Sequence, residues 1–141
     1  MTENSNGRFE DLGLSPATLE ILTSIGYETP SPIQRSFIPL ALTGGDCTGQ
    51  ARTGTGKTAA FMLPILERMD FGKKCVQALV LAPTRELAEQ VAAEGGRLAP
   101  RNMRPPAVLV GGKPINPQTS ALQRGAQLVV GTPGRVLDHI A

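Results

Sequence analysis

Four short segments, residues 46–50, 76–82, 107–110 and 127–130, read as β-strands, and each is followed by a stretch of helical composition. Strands this short and this apolar do not suit a sheet with one face in water. They suit parallel strands joined by right-handed crossovers and covered by helices. The predicted fold class is α/β, a parallel β-sheet with helices on both faces. In such sheets ligands bind beyond the carboxyl ends of the strands. The loops after the strands therefore carry the functional expectation: residues 51–57, Pro83-Thr84-Arg85, Gly111-Gly112-Lys113 and residues 131–135. Each holds a cation together with glycine or a helix-capping threonine, and all four are expected at one edge of the sheet.

Helix starts follow a common grammar. Ser15-Pro16, Ser31-Pro32, Asn116-Pro117 and Thr132-Pro133 each put a capping residue before a proline, predicting four N-termini. In the first helix Leu19, Leu22 and Ile25 recur at helical spacing and Gly26 can close it. The second, Pro32 to about Leu42, carries Ile33, Phe37 and Leu40 on one face and contains Pro39. The third, Lys57 to Met69, is apolar on more than one side and contains Pro64. Val76 to Ala82 is expected to be a strand buried on both faces, Thr84 to about Leu98 a helix, and Asn116 to Arg124 a helix closed by Gly125.

The stretch Ala51-Arg52-Thr53-Gly54-Thr55-Gly56-Lys57-Thr58 matches the end of the phosphate-binding loop GxxxxGK followed by Ser or Thr, with alanine at its first glycine. Gly54 and Gly56 allow positive-φ turns that bring backbone N–H groups close to phosphate oxygens. Lys57 stands at a helix N-terminus, so its ammonium and the unpaired helical N–H groups add to one positive field. Thr58 offers a hydroxyl to Mg²⁺. At the other strand ends, Thr84 and Thr132 cap helices beside Arg85 and Arg135, groups that suit a row of phosphates. Either arginine is equally at home in solvent or paired with Glu86, Glu89 or Asp138, since exposed pairs are common and weak.

With 141 residues, 40% hydrophobic and 18% charged, the chain suits one globular domain. No apolar run approaches the ~18 residues of a membrane span. The net charge of +2 implies no polyanion by itself. Cys47 and Cys75 lie far apart without a CxxC, which argues against zinc and for a reduced, cytoplasmic pair. His139 reads as a surface histidine, and residues 1–8 as a polar, disordered tail.

Several of these residues together resemble the DEAD-box RNA helicases. Gly26-Tyr27-Glu28-Thr29-Pro30-Ser31-Pro32-Ile33-Gln34 is similar to the family's Q motif, with Phe9 as its upstream aromatic. Residues 51–58 resemble motif I, including the alanine. Pro83-Thr84-Arg85-Glu86-Leu87-Ala88-Glu89-Gln90 resembles motif Ia, Gly111-Gly112 the GG element, and Thr132-Pro133-Gly134-Arg135 motif Ib. The resemblance implies a RecA-like phosphate-loop NTPase domain that binds ATP and Mg²⁺. Gln34 would read the adenine edge and Phe9 stack on its face. Thr53, Gly54, Thr55, Gly56, Lys57 and Thr58 would hold the nucleotide, with Lys57 and Thr58 the catalytic pair and Thr58 on the metal. Pro83, Thr84, Arg85, Gly111, Gly112, Thr132, Pro133, Gly134 and Arg135 would grip the backbone of one RNA strand. Tyr27 is read as core or hinge packing.

No strand end here carries the acidic pair that would hold Mg²⁺ and orient water. The expectation is therefore that residues 9–141 form the N-terminal portion of the first RecA-like domain of a helicase that unwinds short duplexes, the portion alone being inactive. A DNA helicase or translocase, a metabolic kinase, and a non-catalytic binding module remain alternatives at this point.

Overall fold

Two serines set the first two helices. Ser15 Oγ accepts the Thr18 N–H at 3.3 Å, opening α1, Pro16–Ser24. Ser31 Oγ accepts the Gln34 N–H, while Gln34 Oε1 accepts the Ser31 N–H at 2.9 Å, a reciprocal capping box that opens α2, Pro32–Leu42. Gly26, at φ +91°, ends α1: its N–H reaches Thr23 O and the Tyr27 N–H reaches Leu22 O, the Schellman pattern. A buried-side anchor completes α1, because the Glu67 carboxylate accepts the Ser15 N–H at 3.0 Å and the Thr18 hydroxyl. A carboxylate at that end also complements the helix dipole.

In this computed structural model the described residues are 7–51 and 56–140. After a short 3-10 turn, Phe9–Asp11, come α1, α2, α3 (Lys57–Arg68), β1 (Ala78–Leu81), α4 (Arg85–Leu98), β2 (Ala107–Leu109), α5 (Ile115–Gln123), β3 (Leu128–Gly131) and α6 (Pro133–Ile140). The described residues up to Arg68, with Leu98–Pro100, form one compact unit. Met69–Arg97, with the residues from Arg101 onward, form a second.

In the first unit α2 packs on α3. The buried face of α2 is Gln34 and Ile38, whereas Leu40 is 54% exposed and Ile33 and Phe37 are half-buried. The expected face of Ile33, Phe37 and Leu40 is thus turned by one residue. A polar side chain takes the inner position because its hydrogen bonds are satisfied there. Pro39 and Pro64 both lie inside their helices, removing one backbone donor from each. The strand expected at residues 46–50 is not formed. Asp46 and Gly49 are poor strand residues, the segment has no ladder partner among the described residues, and Gly49 lies against the Phe37 ring, where a Cβ would come within 2.7 Å.

The second unit holds a parallel sheet of order β1-β3-β2. Val129 pairs with both Leu79 and Ala107, and Gly131 with both Leu81 and Leu109. Ala107, Leu109, Ala126, Val129 and Val136 cluster with Ala121 and Leu122 of α5. Val108 and Val110 point the opposite way and line a groove with Ala92 and Ala93 of α4. Helices therefore cover both faces, α5 and α6 on one and α4 on the other. The central β3 is buried throughout. By contrast β1, expected to be buried on both faces, leaves Leu79 50% and Leu81 56% exposed. Among the described residues it is an outer strand with a neighbour on one side only, and Leu79 and Leu81 are not part of the cluster with α5 and α6.

The proline-cap grammar holds at Ser15 and Ser31 and fails at Asn116. There the helix starts at Ile115, after an extended Pro114, with no side-chain cap. Pro117 falls in the first turn, where its missing N–H would have had no helical partner.

Gly131 lets α6 close on the sheet, for a Cβ there would fall 2.7 Å from the Leu109 carbonyl oxygen and from Val136 Cγ2. Gly131→Ala is expected to lower stability by about 1–3 kcal/mol through overpacking. Urea unfolding measures it, and an unchanged midpoint would show that β2 and α6 separate without strain.

Candidate functional site

In the first unit the carboxamide of Gln34 joins a helix start to the phosphate-loop segment. Its Oε1 accepts from Ser31, and its Nε2 donates to Gly56 O at 3.2 Å. Gly56 has φ +84°, and a Cβ on it would strike the Gln34 amide. Glycine is required twice over, by backbone angle and by contact. The same Gly56 carbonyl accepts the Ala60 N–H at 3.1 Å, so this residue starts α3 and receives Gln34 at once. Lys57 is exposed and Thr58 half-buried in the first turn. Lys57 lines an open cleft of about 460 Å³ with Gly49, Gln50 and Ala51. Thr53, Gly54 and Thr55 lie outside the described residues. Phe9 is buried with its ring tilted against Tyr27, centroids 6.1 Å apart.

In the second unit the loops after the three strands do open at one edge. Thr84 Oγ1 accepts the Leu87 N–H at 3.2 Å, capping α4 and placing Arg85 at its first position. The Arg85 guanidinium lies on Gly112, whose φ is +80° and whose missing Cβ makes the space. Lys113 Nζ pairs with Glu89 Oε2 at 2.8 Å. Arg135 Nη1 donates to Lys113 O at 3.0 Å, and its Nε lies 3.3 Å from Asp138 Oδ2. The partner expected as an alternative for Arg135, Asp138, is thus present. Glu89 pairs with Lys113 in place of Arg85. Pro83, Gly111, Pro133 and Gly134 are exposed and Thr132 is half-buried. Arg85, Gly112 and Arg135 therefore converge on one rim that carries cations, exposed backbone and two helix N-termini.

Gln118 went unrecognised in the sequence. It is 7% exposed, donates from Nε2 to Val110 O at 3.0 Å, and receives Arg135 Nη1 on Oε1 at 3.2 Å. His139 Nε2 is 3.0 Å from the same oxygen, so this histidine is held by a partner and is not simply solvated. The available signal was a polar residue on the inner face of a short helix between two glycine-rich turns.

Three comparisons bear on this arrangement. A family model described as DEAD/DEAH box helicase matches residues 31–141. The chain is 50% identical, over 94% of its length, to the ATP-dependent RNA helicase DeaD of Haemophilus influenzae, and spans 22% of that protein. It is also similar to the crystal structure of a DEAD box protein from the hyperthermophile Methanococcus jannaschii, with a TM-score of 0.87 and 45% identity, covering 95% of this chain and 37% of that one. The chain thus corresponds to well under half of either relative.

The rim ion pair has a pH signature. The hydrogen bond and charge of Lys113, with a smaller contribution from Arg85, hold the Glu89 carboxyl below its ordinary value, against a partial desolvation that opposes them. A depressed folded pKa means that any stability from the pair is present above the ordinary carboxylate pKa and is lost as pH falls through the lowered value. A carboxyl NMR titration should find Glu89 titrating below the ordinary range, and Lys113→Ala should bring it back up. An unmoved midpoint in that variant would remove Lys113 as the cause.

Proposed function

The chain belongs to the DEAD/DEAH box helicase family, and from that premise we propose that it is the ATP- and RNA-binding part of a cytoplasmic, ATP-dependent RNA helicase that separates short duplexes. The observation that carries the reading is the Gln34 to Gly56 bond, which ties a base-reading carboxamide to the phosphate loop. A glutamine amide has two acceptor lone pairs and two donor hydrogens. Ser31 and Gly56 occupy one of each. One acceptor site and one N–H remain, the complement of the N6–H and N7 edge of adenine; guanine, with acceptors at both O6 and N7, does not match. Phe9, buried against Tyr27, would supply the aromatic face by turning out of that packing.

Lys57 and the N–H groups at the start of α3 would hold the phosphates, with Thr53, Gly54, Thr55 and Gly56 completing the loop. Thr58 fits Mg²⁺, which takes few protein ligands and fills its shell with phosphate oxygens and water; among the described residues no group of three acidic, histidine or cysteine ligands competes for that part. Bound ATP supplies the phosphoanhydride whose hydrolysis drives the cycle. Pro83, Thr84, Arg85, Gly111, Gly112, Thr132, Pro133, Gly134 and Arg135 would hold a single strand by its sugar-phosphate backbone, with little sequence preference. Among the described residues no strand end carries an acidic pair to hold metal and orient water. These residues therefore bind both ligands and do not hydrolyse ATP unaided.

Lys57→Ala is expected to weaken ATP binding by roughly tenfold or more, with the unfolding midpoint little changed because the side chain is exposed. Titration with a fluorescent ATP analogue reads both ligand and fold, and unaltered affinity would remove the phosphate-loop role. Gln34→Ala should narrow the preference for ATP over GTP. If competition assays show the preference intact, Gln34 serves only to cap α2.

A further inference from the structure

We infer that Gln118 is the positioning residue of the RNA rim, the group that presets Arg135 against the Gly111-Gly112 backbone. The inference rests on the reading of Arg135 as an RNA phosphate contact.

Gln118 touches three residues at once, one at the end of β2 and two in α6. Its Nε2 is fixed on the carbonyl of Val110, the residue directly before Gly111. With that end tied, Oε1 has a set place, and both of its lone pairs are used, one by Arg135 Nη1 and one by His139 Nε2. Because the oxygen is an acceptor, His139 carries its proton on Nε2 at this contact. Arg135 is further steadied by Lys113 O and by Asp138. Its side chain is only 17% exposed, so the guanidinium has one orientation from which its remaining N–H groups can face a phosphate.

A free arginine loses considerable rotamer freedom when it grips a ligand. An arginine already held in place loses less, and that difference appears as affinity. Gln118 supplies the holding without touching RNA itself. It also sets the distance between Arg135 and the Val110 carbonyl, one residue before Gly111, since one carboxamide bonds to both.

The test is binding of a fluorescent single-stranded RNA to the full-length protein with a non-hydrolysable ATP analogue, comparing wild type, Arg135→Ala, Gln118→Met and the double variant. Losing one oriented phosphate contact should weaken binding roughly three- to tenfold. Gln118→Met should approach the loss seen for Arg135→Ala, and the double variant should be no weaker than Arg135→Ala alone, because the amide acts only through the arginine. Binding of the ATP analogue should not move. Losses that multiply in the double variant, or wild-type RNA affinity in Gln118→Met beside a weakened Arg135→Ala, would overturn the inference while leaving the RNA reading intact. An Arg135→Ala variant that binds RNA normally would overturn the reading beneath it and this inference together. Should Gln118→Met fail to fold, Gln118→Asn keeps the amide but withdraws it by one methylene, and the same non-additive loss is expected from it.

Discussion

The buried carboxamide is the interaction on which this structure turns. Among the described residues every buried polar side chain is a glutamine: Gln34, Gln118 and Gln127. A buried amide is costly unless both its ends are paired, and each of these is paired at both ends. Gln34 joins Ser31 to Gly56. Gln118 joins the end of β2 to α6. Gln127, fully buried, donates to Phe71 O and Lys73 O and accepts the Arg104 N–H, fixing the turn before β1 and the entry to β2. Each is a neutral crosslink between separate segments of the chain. In low dielectric such links, paired at both ends, help to specify one arrangement of the segments they join.

These links matter because the turns that make up the site lie outside the helices and strand ladders. The strands have three or four residues each, and the site is made of turns. Glycine gives the turns their approach. Gly112 makes room for Arg85, Gly56 for Gln34, and Gly131 for the carbonyl of Leu109. Close approach without a fixing bond would leave the turns free to move. Gln34 and Gly56 show the two working as a pair, the glycine removing bulk and the amide setting position.

Much of this was legible from local rules. Helix starts at Ser15 and Ser31, the closure at Gly26 and the strands at residues 107–110 and 127–130 each depend on residues within a turn of one another. Three features depend on distant partners and were not legible. Among the described residues, 46–50 lack a ladder neighbour and β1 has one on a single side, so burial on both faces could not be read from apolarity alone. The inner face of α2 holds Gln34 in place of Leu40 because Gly56, 22 residues away in sequence, supplies the acceptor. The same holds for Gln118, whose partners Arg135 and His139 belong to another helix. For the site, the motif residues could be read as a group, whereas the amide that orders them could not, since periodicity treats a polar residue on an inner face as a break in the pattern.

On the proposed reading of the rim as an RNA contact, an amide suits position 118 better than a carboxylate. A glutamate at position 118 would hold the Arg135 guanidinium more strongly, by a charge-assisted bond in a half-buried setting. It would also cancel the charge that a phosphate needs to meet. The amide oxygen orients the guanidinium through a dipole and leaves its full positive charge in place. The carboxylate that approaches Arg135, Asp138, is 61% exposed, where water and salt screen its attraction. The buried contact is thus neutral and the charged contact is wet. On that proposed reading, the division fixes one arginine in direction while it still presents a cation to an incoming phosphate.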